Sequence, residues 1–297
     1  MRTATQVLND VAGRGASNKV YNVDEVIERI GFEVAKKPLA LLETPTQAIE
    51  PQAIVRTDTG AVLGVVSPKY KLIRHSEVMQ KPLEILSNEK FTCTKVGIID
   101  SGAKVALELR GNTIKQIAGD NYFERLILVN SYDTSASFQA MFGFFRQICS
   151  NGAGIWDGAF SARIIHKGEK AEELMDYTKF MNYLSNREQV IEKYATILGK
   201  LGGIKIPNRD RAQKVLEQLK FGPRVTEKIL DEWKKKINYE NTLLGLYHGI
   251  TSYYSRKVEG SDTEQVEGSA EIKSGMRLLK SQNETSSVLA EMEKMVQ

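Results

Sequence analysis

LILVNSYDTSASFQAMFGFFRQICSNGAGIW, residues 126–156, decides how the rest of the chain is read. Leu126–Val129 is a short apolar run of the kind that forms a buried strand. It breaks at Asn130-Ser131-Tyr132-Asp133-Thr134, where short polar side chains can bond their own backbone in a turn. An aromatic run follows, and the stretch ends at Arg146, Cys149 and the turn Ser150-Asn151-Gly152. The pattern predicts two strands of one sheet. Asn130, Asp133, Gln139, Arg146 and Asn151 interleave with residues that must be buried. An unpaired buried polar group costs about 1–3 kcal/mol, so each must bond another of the set, the backbone, or a ligand.

Working outward toward the N-terminus, two more hairpins are expected. Ala53–Arg56 and Ala61–Val66 flank Thr57-Asp58-Thr59-Gly60, and Phe91–Ile99 and Lys104–Arg110 flank Asp100-Ser101-Gly102. Both join β-branched runs through Asp/Gly turns. Tyr21–Gly31 reads as a helix, with Asn22 and Glu25 as a capping box. Phe32–Leu42 is expected to be extended and the segment through Pro45 and Pro51 to be loop. A helix from Ser76 to about Leu86 contains Pro82, which predicts a break or kink. Arg163–His166 adds a short strand.

Beyond Lys167 the apolar period changes from two to nearly four. Val190, Ile191, Tyr194, Ile197, Leu198 and Leu201 form one helical stripe, with Asn186 and Gln189 as its expected cap. Helices over Ala212–Leu219, Thr226–Lys236 and Asn241–Tyr254 complete the set. Strands first and helices afterwards predict an α+β fold: an antiparallel hairpin-rich sheet in the N-terminal half, a helical C-terminal half and a flexible acidic C-terminal tail. The expected organisation is a disordered tail over 1–20, a sheet-containing core over 21–168, a helical region packed on it over 169–257, and an acidic linker with a terminal helix over 258–297.

Charge divides the same way. Residues 258–297 hold four Lys/Arg and eight Asp/Glu, a net of −4, so the overall +4 leaves +8 on residues 1–257. A basic body with an acidic tail suits a protein that handles nucleic acid. No apolar run approaches the roughly 20 residues of a membrane span, and the N-terminal stretch lacks the apolar core of a secretory signal. Two cysteines, Cys93 and Cys149, make no disulfide framework, and a cytoplasmic location is expected.

The search for chemistry removes most classes. His75, His166 and His248 are scattered, without ligand spacing for a metal. There is no phosphate-binding G-x-x-x-x-G-K-[ST] loop, and Gly152-Ala153-Gly154 lacks the strand-to-helix setting of a dinucleotide site. No cofactor, metal or catalytic residue is expected. The one enzymatic alternative combines Cys149, Asp133 and His166, with no third group fixed by the sequence to orient them.

Basic residues interleaved with aromatics are better represented. Ser67-Pro68-Lys69-Tyr70-Lys71-Leu72-Ile73-Arg74-His75 concentrates cations around a tyrosine. Arg110, Arg125, Arg146, Arg163 and Lys167 fall at or near ends of predicted strands. Cations along a groove neutralise phosphate, and aromatic faces stack bases at about 1–3 kcal/mol each. Lys69, Tyr70, Lys71, Arg74, Arg110, Arg125, Tyr132, Arg146, Arg163 and Lys167 are the candidate nucleic-acid-binding residues. Tyr122, Phe123 and Phe138 are further aromatic candidates.

The elements VNSYDTSASFQ and FRQICSNG, then ARIIHKGE and TLLGLYHGITSYYSRK, resemble the phage- and plasmid-type proteins of the 932 family of domains of unknown function. The likeness runs from about Tyr21 to Met276 and is most specific at Arg146, Cys149 and Asn151. The late helix carries Leu244 where the family usually has Trp and His248 where it usually has Asn. The resemblance implies a cytosolic protein of phages, plasmids or other mobile elements, whose genes often neighbour single-strand binding and strand-annealing functions. It supplies no catalytic residues. The expected function is therefore non-enzymatic binding of single-stranded DNA, with strand annealing by a homo-oligomer in recombination. The alternative is a protein that binds a host or phage protein through its C-terminal tail.

Overall fold

The structure is a computed structural model, and it describes residues 20–40, 48–117, 119–146, 154–164, 177–235, 241–259 and 287–295. The expected tail over 1–20 and the acidic linker lie almost wholly outside these residues. So do Cys149, Asn151, His166 and Lys167.

The first helix, α1 (Val23–Ile30), begins as expected. The Asn22 side chain accepts from the Glu25 amide, and the Glu25 carboxylate accepts from the Asn22 amide. Three strands follow as an antiparallel sheet: β1 (Val34–Ala40), β2 (Ala48–Arg56) and β3 (Val62–Val66). β2 continues through Pro51, which the sequence placed in a loop. At Pro38 the β1–β2 register shifts, as a residue without an amide proton requires. Helix α2 (His75–Asn88) then runs unbroken through Pro82. Pro82 faces the core beside Val78, Met79 and Leu83, so burial on both sides of the proline holds the expected break closed.

The principal sheet is an antiparallel meander of five strands in sequence order: β4 (Phe91–Ile99), β5 (Lys104–Ile117), β6 (Asp120–Ser131), β7 (Phe138–Arg146) and β8 (Gly154–Ile164). Local connections of this kind are the simplest route to an antiparallel sheet. The turn at Asp100-Ser101-Gly102 uses left-handed backbone throughout, with φ of 50°, 59° and 107°. β8 is longer than the short strand expected at Arg163–His166, because Gly154–Ala162 also pairs with β7.

Four helices complete the C-terminal half: α3 (Tyr177–Gly203), α4 (Arg209–Gln218), α5 (Pro223–Trp233) and α6 (Leu243–Glu259). Asn186 does not cap α3. It lies inside this long helix, and its amide donates to the Asn182 carbonyl at 2.7 Å. Residues 287–294 form a further helix.

Alternation along the strands decides where the core sits. Val105, Leu107, Leu109, Leu126, Leu128, Ala140 and Phe142 share one face of the main sheet. They join α1, α2 and the C-terminal helices in one apolar core, with Phe180, Leu184, Leu198 and Leu201 from α3. Val288, Leu289 and Met292 of the last helix belong to the same core. The terminal helix therefore places these three side chains inside the molecule, while Met295 just beyond it is exposed. A second, smaller core holds Val34, Ile54, Leu63, Val66, Tyr70, Ala103 and Tyr132, between the three-stranded sheet and the end of β6.

Gly64 marks the closest approach at that second core. A β-carbon there would lie 2.6 Å from the Tyr132 carbonyl oxygen and 2.8 Å from the Asp133 Cα. Both are backbone atoms and cannot swing aside. Gly64→Ala is expected to cost about 1–3 kcal/mol, read as a lower urea midpoint at unchanged slope. Gly60→Ala is a control for backbone strain alone. Gly60 has φ of 73° with open space around it, and its replacement is expected to cost about 1 kcal/mol.

Candidate functional site

The polar residues at the end of β6 form a closed network. His75 is fully buried at the start of α2. Its Nε2 lies 3.0 Å from the Gly102 carbonyl, which can only accept, so Nε2 carries the proton. Its Nδ1 then accepts from the Asn130 amide at 2.9 Å. The His75 backbone amide donates to the Tyr132 hydroxyl at 2.9 Å, and the two rings stack with centroids 3.9 Å apart. Ser131 Oγ donates to the Ala136 carbonyl and accepts from the Ala136 amide. Asp133 accepts from the amide and hydroxyl of Ser135 and pairs with Lys104 at 3.0 Å. Burial opposes ionisation of Asp133, but these donors outweigh it and hold the carboxyl below its ordinary value.

This network corrects two candidate residues. Tyr132 is fully buried, and Tyr70 is buried with its hydroxyl donating to the Ser131 carbonyl at 3.3 Å. Neither ring offers a face for a base. Both hydroxyls are held strongly toward the protonated form, chiefly by burial. Arg74 is a clasp, paired with Glu33 at 2.6 Å and facing Glu77 from the start of α2. Lys69 is exposed and Lys71 partly exposed on the same loop.

A second cluster lies along the sheet. Arg110 and Arg125 are partners in the β5–β6 register, and Lys95 on β4 is the partner of Glu108. Alternation puts Lys95, Glu108, Arg110 and Arg125 together on the face opposite the apolar core. Glu108 accepts from Arg110 Nε at 3.1 Å and from Arg125, with Lys95 Nζ 4.0 Å away. Burial alone would raise the Glu108 pKa, but Arg125, Lys95 and Arg110 bring it down to about 2. Arg125 is itself largely buried, so the sequence was wrong to treat it as an open phosphate contact. Arg110 is more open, and its guanidinium lies over the Phe123 ring, 5.1 Å from the centroid. Tyr122 and Phe138 are core residues, whereas Phe123 keeps partial exposure. Sequence reasoning missed Lys95 because its place beside Glu108 depends on a register shift between Cys93 and Lys95.

The two clusters are separate. Tyr70 meets β6 at Ser131, six residues along the strand from Arg125, about 20 Å at the rise of an extended chain. Arg146 closes β7 opposite Tyr122, and Arg163 lies on β8 opposite Gln139. Burial pushes the Cys93 thiol up to about 12, so it is no nucleophile. Among the described residues no three His, Cys, Asp or Glu side chains are grouped to hold a metal ion, and no helix is long and apolar enough to cross a membrane.

On the core face of the same sheet lies Glu124, buried beside Gly111, with Arg187 of α3 3.8 Å away. Burial raises its pKa to about 7, against an opposing pull from Arg187.

Residues 62–282 match the family described as Domain of unknown function (DUF932), and the chain belongs to that family. Comparison with curated proteins and with solved structures finds no match.

The two carboxylates are expected to give opposite pH dependences. Glu124 in the folded state holds a proton that the unfolded chain releases near pH 4.5. Its contribution therefore lowers stability as pH rises from about 4.5 to about 7, by at most about 3 kcal/mol. Glu124→Gln should flatten this part of a urea-unfolding series run between pH 5 and 8. Glu108 stabilises above its ordinary range and loses that contribution as pH falls from about 4.5 to about 2. Glu108→Gln leaves buried Arg125 without this carboxylate and is expected to cost about 3–5 kcal/mol at pH 7.

Proposed function

We propose that this DUF932 protein binds single-stranded DNA without chemistry of its own, and that it serves strand annealing in a phage or other mobile element. The observation that supports this most is the partly exposed Arg110, laid over Phe123 beside Lys95 and braced by the buried Arg125–Glu108 pair. Glu108 fixes the two arginines in place, which reduces the side-chain entropy lost when a phosphate is bound. Arg110 reaches solvent from this cluster. A guanidinium stacked on a phenyl ring is a platform that continues naturally onto a base, with the phosphate within reach of the same fork. Such contacts are tolerant of sequence and need no nucleotide hydrolysis.

Val288, Leu289 and Met292 of the C-terminal segment are in the core, which weighs against the protein-docking alternative, although Met295 is exposed.

The test is fluorescence anisotropy of a labelled oligo(dT) titrated with protein across a salt series. Binding at low salt should weaken as salt rises, with a log–log slope of about −0.7 for each phosphate neutralised. Arg110→Gln should lower affinity and flatten that slope by about 0.7. Phe123→Leu keeps the apolar volume and removes the ring, and should weaken binding about tenfold, or ~1.4 kcal/mol, with little change in slope. Absence of binding at low salt would overturn the reading.

A further inference from the structure

Several cations of the N-terminal half are tied to carboxylates, among them Arg56, Arg74, Lys104, Arg110 and Arg125, whereas five of the α4–α5 hairpin are not. Arg211, Lys214, Lys220, Arg224 and Lys228 are all exposed. Among the described residues none of these five side chains has an ion pair or hydrogen bond. Arg209, in the same hairpin, shows the contrast, since it is held by Glu227.

The fold arranges these charges in order. Thr226, Ile229, Leu230 and Trp233 are the buried face of α5, so Arg224 and Lys228 project on the opposite side. They are four residues apart and therefore neighbours on the helix surface, about 6 Å along its axis. Lys220 lies in the turn before α5, where it adopts left-handed backbone with φ of 62°, and adds an exposed cation close in sequence to the start of that helix. Gly222 caps α5 without a side-chain bond, and Pro223 follows at its first position. Arg224 alone sits in the first turn, at the positive end of the helix dipole. The hairpin is held firmly from behind. A β-carbon at Gly249 of α6 would meet Trp233 backbone at 3.1 Å, so α5 and α6 are in close contact there.

Like charges at this spacing repel one another by a few tenths of a kcal/mol per pair. Glu227 lies on the neighbouring strip of α5 and is engaged by Arg209, while Asp231 shares the face of Arg224 and Lys228 without an ion pair to either. A chain of phosphates complements this arrangement, because it supplies anions at regular intervals and gains from release of its own counterions.

We infer that the α4–α5 hairpin is a second contact surface for single-stranded DNA, gripping the phosphate backbone through Lys220, Arg224 and Lys228. This rests on the reading of the protein as a single-strand binder. The sheet cluster would hold base and phosphate together, while the hairpin holds phosphate alone and carries no sequence preference.

The experiment compares the wild-type protein with the triple variant Lys220→Gln, Arg224→Gln, Lys228→Gln, and with a control triple variant at the exposed Lys37, Lys81 and Lys200. All six positions are on the surface, and circular dichroism and thermal melting of each variant check that the fold is kept. Labelled oligo(dT) is titrated over a salt series. The hairpin variant is expected to lose at least tenfold in affinity at low salt and to flatten the log–log slope by about 2, three phosphate contacts at about 0.7 each. The control variant should change the slope by much less. If the hairpin variant keeps the wild-type slope and affinity while Arg110→Gln weakens binding, the inference is wrong and the binding function stands. If both triple variants weaken binding equally, net charge rather than the hairpin is responsible, and the inference is again wrong. If the wild-type protein binds no oligo(dT), both fall together.

Discussion

Strand β6 is buried on both faces from Leu126 to Ser131, and much of the structure follows from satisfying what it carries. Leu126 and Leu128 enter the main core, while Ile127 and Val129 are buried on the opposite face. Water cannot reach polar groups on such a strand, so every one of them must find a partner within the protein. Asn130 finds His75, the first residue of helix α2. Ser131 and Tyr132 receive Tyr70 and the His75 amide, which draws the loop before α2 against the end of the strand. Arg125 requires Glu108, and that pairing brings β5 cations onto the same strip. The polar interleaving in the sequence is thus mainly the wiring of a doubly buried strand.

Much of the architecture was legible beforehand because it depends on local signals. The Asn22–Glu25 capping box, the three hairpin turns and the change from strand to helical period are all encoded within a few residues. The failures are equally instructive. Pro82 did not break α2, since the packing of Val78, Met79 and Leu83 around it overrides a local preference. Asn186 and Gln189 resemble a cap in sequence but lie within a helix that starts at Tyr177. Tyr70 and Tyr132 were read as exposed aromatics because nothing local reveals that their rings meet across 62 residues of chain in one small core. The four-residue repeat of Lys220, Arg224 and Lys228 was visible in the sequence. Its lack of carboxylate partners is a tertiary property that no local spacing reveals.

That distinction, between cations that are satisfied and cations that are not, separates structure from surface in this protein. Arg74 joins Glu33, and Arg56 joins Asp58 while lying over Phe32. Arg187 links Glu89 at the end of α2 to α3. Each binds elements together and has little left to offer a ligand. The hairpin cations bind nothing else together, and their removal should cost the fold little. A basic composition is therefore a poor guide to where a polyanion would dock unless the internal pairings are first subtracted.

Glu108 and Glu124 show the same subtraction from the carboxylate side. They lie on adjacent strands of one sheet but on opposite faces, and both are buried. Three cations converge on Glu108, two of them in hydrogen-bonding contact, and its proton is lost far below the ordinary range. Glu124 has one cation at 3.8 Å, shared with Glu89, and desolvation prevails. The difference is one of partner number and distance, not of burial. It makes the outer face of the sheet electrostatically fixed at neutral pH. It leaves the core face with a carboxylate whose charge changes near neutrality, at the point where α3 meets the sheet.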